Sequence, residues 1–100
     1  MFFVSTANCV KVFNNEGEFL CDIGREGPGK LRYPVGPAVD KFTNLLVCDE
    51  DVQVFTLEGK FVNSIRRQVL QLQSPLAVAV SNAGQVIIIG VGKHCIHIFE

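Results

Sequence analysis

The one tyrosine of the chain, Tyr33, stands close to Arg25, Lys30 and Arg32. That combination suits single-stranded RNA, because cations follow phosphates and an aromatic ring stacks on an unpaired base. Arg66 and Arg67 form a second basic step, and Lys93 with His94 a third. Opposing them are Glu26 and the run Asp49, Glu50, Asp51. Those carboxylates repel phosphates within roughly one Debye length and suit a basic protein segment instead. The candidate RNA-binding set is therefore Arg25, Lys30, Arg32, Tyr33, Arg66, Arg67 and Lys93, and the candidate protein-binding set is Asp49, Glu50 and Asp51.

Other chemistry is poorly supported. The histidines, His94 and His97, are three residues apart in a strand-like run, so their side chains leave on opposite faces and do not converge on one metal. The four cysteines, Cys9, Cys21, Cys48 and Cys95, form no CxxC pair and read as small buried hydrophobes. We expect no catalytic residue, no metal and no cofactor, hence a binding protein and not an enzyme.

The elements that must position these residues are short β-type runs rich in Val, Ile and Phe, separated by Gly, Asn and Asp. The clearest set runs from Tyr33 to Ile65: Val35 to Asp40, Leu45 to Asp49, Val52 to Thr56 and Lys60 to Ile65. Before it come Phe2 to Ser5, Val10 to Phe13 and Glu18 to Ile23; after it come Leu76 to Val80, Val86 to Val91 and Ile96 to Phe99. Val69 to Leu72 reads as a short strand or a turn.

The runs repeat. Val10, Val12, Phe13, Glu16, Gly17, Phe19 and Ile23 recur 42 positions later as Val52, Val54, Phe55, Glu58, Gly59, Phe61 and Ile65, and Pro34, Ala38 and Val39 recur 41 positions on as Pro75, Ala79 and Val80. A period of this length without helical patterning predicts an all-β chain built of four-stranded antiparallel blades, a partial β-propeller of about two and a half blades. The predicted units are a partial blade over 1–23, a complete blade with its leading loop over 24–65, and a partial blade over 66–100. In such an architecture the loops before the first strand and between the second and third strands share one face, which collects both candidate sets. Phe13, Phe19, Phe55, Phe61 and Phe99 are expected to pack between blades, and Asp40 to accept turn hydrogen bonds from Thr43 or Asn44.

With 48% hydrophobic and 19% charged residues, the chain is too apolar for disorder and has no continuous apolar span long enough for a transmembrane helix. The apolar start at Phe2 to Val4 is too short for a signal-peptide core. A net charge of -1 proposes no nucleic-acid partner globally, so local charge has to carry any such reading. The expectation is a soluble cytoplasmic protein without a membrane partner.

The pattern Pro34, Gly36, Ala38, Val39, Asp40, then Asn44, Val47, Asp49, then Gln53, Val54, Phe55, Gly59, Phe61 resembles the NHL repeat. The N-terminal copy, CVKVFNNEGEFLCDIGREG followed by YPVG, is most similar to the late blades of TRIM-NHL proteins of the brain tumour (Brat) branch. The resemblance implies a C-terminal piece of a six-bladed propeller, with the remaining blades in the same full-length protein. It further implies binding of single-stranded RNA in translational repression, with Tyr33 at a contact position. The alternative it implies is a protein-interaction propeller of a ubiquitin-ligase-associated relative. Two departures stand out: the link from Cys48 to Val52 is short and acidic, and Ser81 and Gly90 take the slots of Asp40 and Cys48.

Overall fold

The computed structural model describes residues 1–66, 72–92 and 96–99, with side chains over 1–66 and 77–90. Within them are ten strands: β1 (Phe2–Ser5), β2 (Val10–Phe13), β3 (Phe19–Ile23), β4 (Val35–Val39), β5 (Asn44–Cys48), β6 (Val52–Thr56), β7 (Phe61–Ile65), β8 (Leu72–Val80), β9 (Val86–Gly92) and β10 (Ile96–Phe99). They form three antiparallel sheets in which sequence neighbours are spatial neighbours: β1-β2-β3, β4-β5-β6-β7 and β8-β9-β10. The chain is all-β. No helix among the described residues is long and apolar enough to cross a membrane.

Strand alternation sets how the sheets stack. Side chains of successive residues leave on opposite faces, so the central sheet has two apolar faces and buries both. One face carries Leu45, Val47 and Phe55 and packs with Phe61 and Val39 against Val10, Val12 and Ile23 of the first sheet. The other carries Leu46, Cys48, Val52 and Val54 and packs against Val78, Ile88 and Val86 of the third. Burial on both faces explains the near-continuous apolar runs LLVC and VQVF.

The repeat extends to irregularities. In the first sheet the register shifts between Val12 and Phe13, leaving Leu20 as the extra residue opposite them; in the central sheet it shifts between Val54 and Phe55, leaving Val62. These bulges lie 42 residues apart and both extra residues are exposed. A bulge bends its strand and increases local twist, so both sheets bend at the same level.

The third sheet differs from expectation at its start. β8 opens at Leu72 instead of Leu76. Ser74 and Pro75 pair with Val91 and Gly90, with register shifts on either side. Proline lacks an N–H for the ladder and is tolerated at such irregularities, so the strand runs through it. Residues 69–71 of the Val69 to Leu72 reading lie outside the described residues.

Asp40 shapes the β4–β5 turn: its Oδ1 accepts from the backbone N–H of Phe42 and of Asn44, both at 2.9 Å, while Thr43 N–H donates to the Asp40 carbonyl at 3.1 Å. Ser81 does the same work in the β8–β9 turn, where its Oγ accepts from Gln85 N–H at 3.1 Å and its carbonyl from Gly84 N–H at 2.9 Å. The change of residue type at this slot keeps the turn. Asp40→Ala should cost about 1 kcal/mol, by loss of a local side-chain acceptor for two turn amides; denaturant melts would show a lower midpoint with an unchanged slope.

Candidate nucleic-acid interface

Eleven residues, Gly24 to Pro34, carry the chain from the first sheet to the central one. Leu31, 1% exposed, is buried in the core between those sheets, and its N–H donates to the Gly24 carbonyl at 2.8 Å. Lys30 N–H closes a second turn on the Gly27 carbonyl at 3.1 Å. With Leu31 anchored inward, Lys30 and Arg32 on either side of it are exposed. Pro34, also buried, anchors the far end and leaves Tyr33 outside.

Tyr33 is 76% exposed and has a φ of +49°. A bulky residue in the left-handed region costs about 1–3 kcal/mol, and a following proline disfavours it further. The conformation is held by the Tyr33 N–H, which donates to the Ala7 carbonyl in the β1–β2 turn at 2.8 Å. The backbone at Tyr33 is thus held beside that turn, with the ring exposed.

The crossing and the β1–β2 turn enclose an open groove of about 570 Å³, with Lys11, Arg25, Lys30, Arg32 and Tyr33 among its lining residues. Of the candidate RNA-binding set, Arg25, Lys30, Arg32 and Tyr33 are brought together here. Arg66 is exposed at the end of β7 and does not line the groove. Arg67 and Lys93 lie outside the described residues, as does His94.

Lys11 was missed as a groove residue, since from sequence it is an ordinary polar position of a strand. Its role arises from pairing across the sheet. Lys11 stands opposite Asp22 and donates to Asp22 Oδ1 at 3.0 Å, while Arg25 Nε donates to Asp22 Oδ2 at 2.9 Å. Lys11, and then Arg25, hold the Asp22 carboxyl below its usual range despite some desolvation. Arg25 Nη2 also reaches Cys9 Sγ at 3.5 Å. Lys11 and Arg25 therefore line the groove as the two cations of an ordered cation–carboxylate–cation row, together with Lys30 and Arg32.

The candidate protein-binding acids occupy the β5–β6 turn. Asp49 Oδ1 accepts from Asp51 N–H at 3.0 Å and from Gln53 Nε2 at 3.3 Å, and Ser64 Oγ donates to Gln53 Oε1. Asp49 is thereby a turn-forming residue, and Glu50 is the exposed acid of the three.

No family model matches the chain, and no curated protein matches it in a sequence search.

Among the described residues, no three His, Cys, Asp or Glu side chains are grouped to hold a metal. Cys9 and Cys48 are buried and Cys21 is partly so; burial, with Asp49 nearby, pushes the Cys48 thiol up to about 12, which makes it inert as a nucleophile at neutral pH.

Proposed function

We propose that the chain is part of an NHL-type β-propeller that binds single-stranded RNA in the groove beside Tyr33 and acts in cytoplasmic post-transcriptional repression. The observation that carries the reading is an exposed aromatic ring, held in a costly backbone conformation, among Lys11, Arg25, Lys30 and Arg32. Cations along a groove track a phosphate backbone, and one exposed ring offers a stacking platform for a splayed base. The 42-residue repeat and the serial packing of three meander sheets support the propeller. The NHL pattern supports the RNA and repression parts.

Titration with a short single-stranded RNA pool at two salt concentrations tests it. Tyr33→Ala should lower affinity roughly tenfold, the effect of losing about 1–3 kcal/mol of stacking, with the salt slope kept. Lys30→Ala with Arg32→Ala should reduce the slope by about 1.4, at about 0.7 per phosphate contact on a single strand. Unchanged affinity and slope in both variants would move the site elsewhere. Binding of a basic peptide lost on Glu50→Lys would then favour the protein-interaction alternative.

A further inference from the structure

The β4–β5 turn (40–43) and the β8–β9 turn (81–84) hold equivalent places in the repeat and lie side by side where the central and third sheets pack on each other. Between them is an open cleft of about 460 Å³, with Asp40, Lys41, Asn82 and Ala83 among its lining residues. It stands at the end of β4 away from Tyr33 and shares no residue with the groove.

The two turns differ at their tips. Phe42 stands in the slot of Ala83 and is 71% exposed. Thr43 stands in the slot of Gly84, which adopts a φ of +83° as glycine can; Thr43 holds +60°, a costly conformation for a β-branched residue. Its Oγ1 donates to the Phe42 carbonyl at 2.6 Å, and Asp40 Oδ1 accepts from the Phe42 N–H. The Phe42 backbone is therefore held on both sides while its ring is left in water. Backbone preference opposes this arrangement and no burial offsets it, so folding alone does not account for it.

The cleft beside that ring supplies donors. Lys41 lays its stem along Gly84, where a Cβ would come 2.7 Å from Lys41 Cδ, and its Nζ lies 5.2 Å from the centre of the Phe42 ring. Among the described residues Lys41 makes no ion pair. Asp40 Oδ1 serves two turn amides, whereas Ser81 Oγ serves only the Gln85 N–H. The Ala83 N–H, counterpart of the Phe42 N–H, is thus left without an acceptor among the described residues. A cation and a backbone N–H beside an apolar ring suit one carboxylate next to an apolar side chain. They suit RNA poorly: Asp40, with Glu58 of the β6–β7 turn at the same end of the central sheet, balances Lys41 and Lys60, which leaves no surplus of cations for a phosphate chain. We propose that the cleft docks a linear segment of a partner protein carrying Asp or Glu beside an apolar side chain, with the carboxylate taken by Lys41 and the Ala83 N–H and the apolar side chain by Phe42.

Peptide selection followed by titration tests the proposal. A library of random short linear peptides displayed on phage should, on the unaltered chain, enrich sequences with Asp or Glu beside an apolar residue. The enriched peptide and a copy with its acid replaced by the amide are then titrated by fluorescence anisotropy. On the unaltered chain the amide form should bind about two- to fivefold more weakly, the effect of one exposed ion pair. Lys41→Gln should lower the acid form to the level of the amide form and leave the amide form unchanged. Phe42→Ala should weaken both forms about tenfold through loss of the apolar contact. Both positions are exposed, and circular dichroism checks that each variant keeps its strand spectrum. On the isotope-labelled unaltered chain, the Ala83 amide signal should shift more with the acid form than with the amide form, a readout that needs no variant. No enrichment by the folded chain, enrichment of basic peptides, or peptide affinity indifferent to Phe42→Ala overturns the proposal. So does a single-stranded RNA affinity that falls as far in Phe42→Ala as in Tyr33→Ala, which would make Phe42 a second stacking ring.

Discussion

Phe55→Ala should be the most destabilising single truncation in the described core, costing about 3–5 kcal/mol. Phe55 is the largest side chain with almost no exposure, and it sits where Val10, Val12, Ile23 and Leu31 meet Leu45 and Val47. Its ring also lies edge-on to Phe61 at 5.8 Å and 69°, an arrangement worth about 0.5–1.5 kcal/mol beyond burial. For a domain holding about 5–15 kcal/mol in total, that loss is a large fraction of its stability. Phe13→Ala removes the equivalent ring from a partly exposed position and serves as the comparison. Urea melts at a concentration below any association should show Phe55→Ala losing at least twice as much as Phe13→Ala. Equal losses would mean that the first and central sheets are not packed through Phe55.

Gly29→Ala should be the second large effect, roughly 2–4 kcal/mol, combining a positive φ with overpacking. Gly29 has a φ of +76°, and a Cβ there would lie 2.2 Å from Phe61 Cδ1. Moving the Phe61 ring away would break its edge contact with Phe55, so relief is costly. Gly27 separates the two causes: its φ is +77° but a Cβ there would meet nothing within 4 Å. Gly27→Ala should therefore cost only about 1 kcal/mol, the backbone part alone, and the difference between the two melts measures how tightly the crossing is held against Phe61. Similar costs for both would show that the loop stands off the ring. Because the same crossing carries Lys30, Arg32 and Tyr33, Gly29→Ala should also weaken RNA binding more than Gly27→Ala does.

Strand positions were legible because burial on alternate faces writes itself into residue type. β1, β2, β6 and β10 begin and end where the Val, Ile and Phe runs do, and β3, β4, β5 and β7 differ from their runs by a single residue at one or both ends. Sequence alone shortens β8 because Ser74 and Pro75 look like a break, whereas irregular pairing with Val91 and Gly90 absorbs them. The aromatic repeat misled on one face of the first sheet, where Phe13 and Phe19 pack on each other and not on a neighbouring sheet. Phe19 shares the period of Phe61 and was expected to pack between sheets, but its face is open and Lys11 Nζ lies 5.3 Å from the ring centre instead. A repeat tells which face a residue occupies, and the presence of a neighbour on that face decides whether it is buried.

The candidate site was legible in parts. Arg25, Lys30, Arg32 and Tyr33 stood out because loop charge and an isolated aromatic are visible in the chain. Lys11 did not, because its place in the groove depends on pairing with Asp22 across two strands. Nor did the anchoring by Leu31, a lone apolar residue in a Gly-rich and Pro-rich stretch, which makes Lys30 and Arg32 point outward. Asp49 has a role its sequence position does not show: besides carrying a loop charge, it accepts from Asp51 N–H and Gln53 and builds its own turn.

The most direct test of the central claim is to irradiate the unaltered chain with a short single-stranded RNA pool and map the crosslinked peptide by mass spectrometry. Stacking on the exposed ring should place the crosslink at Tyr33, within the peptide bounded by Arg32 and Lys41, and added salt should reduce its yield. Crosslinks at scattered exposed phenylalanines such as Phe2, Phe19 and Phe42, with none at Tyr33, would contradict RNA binding in this groove.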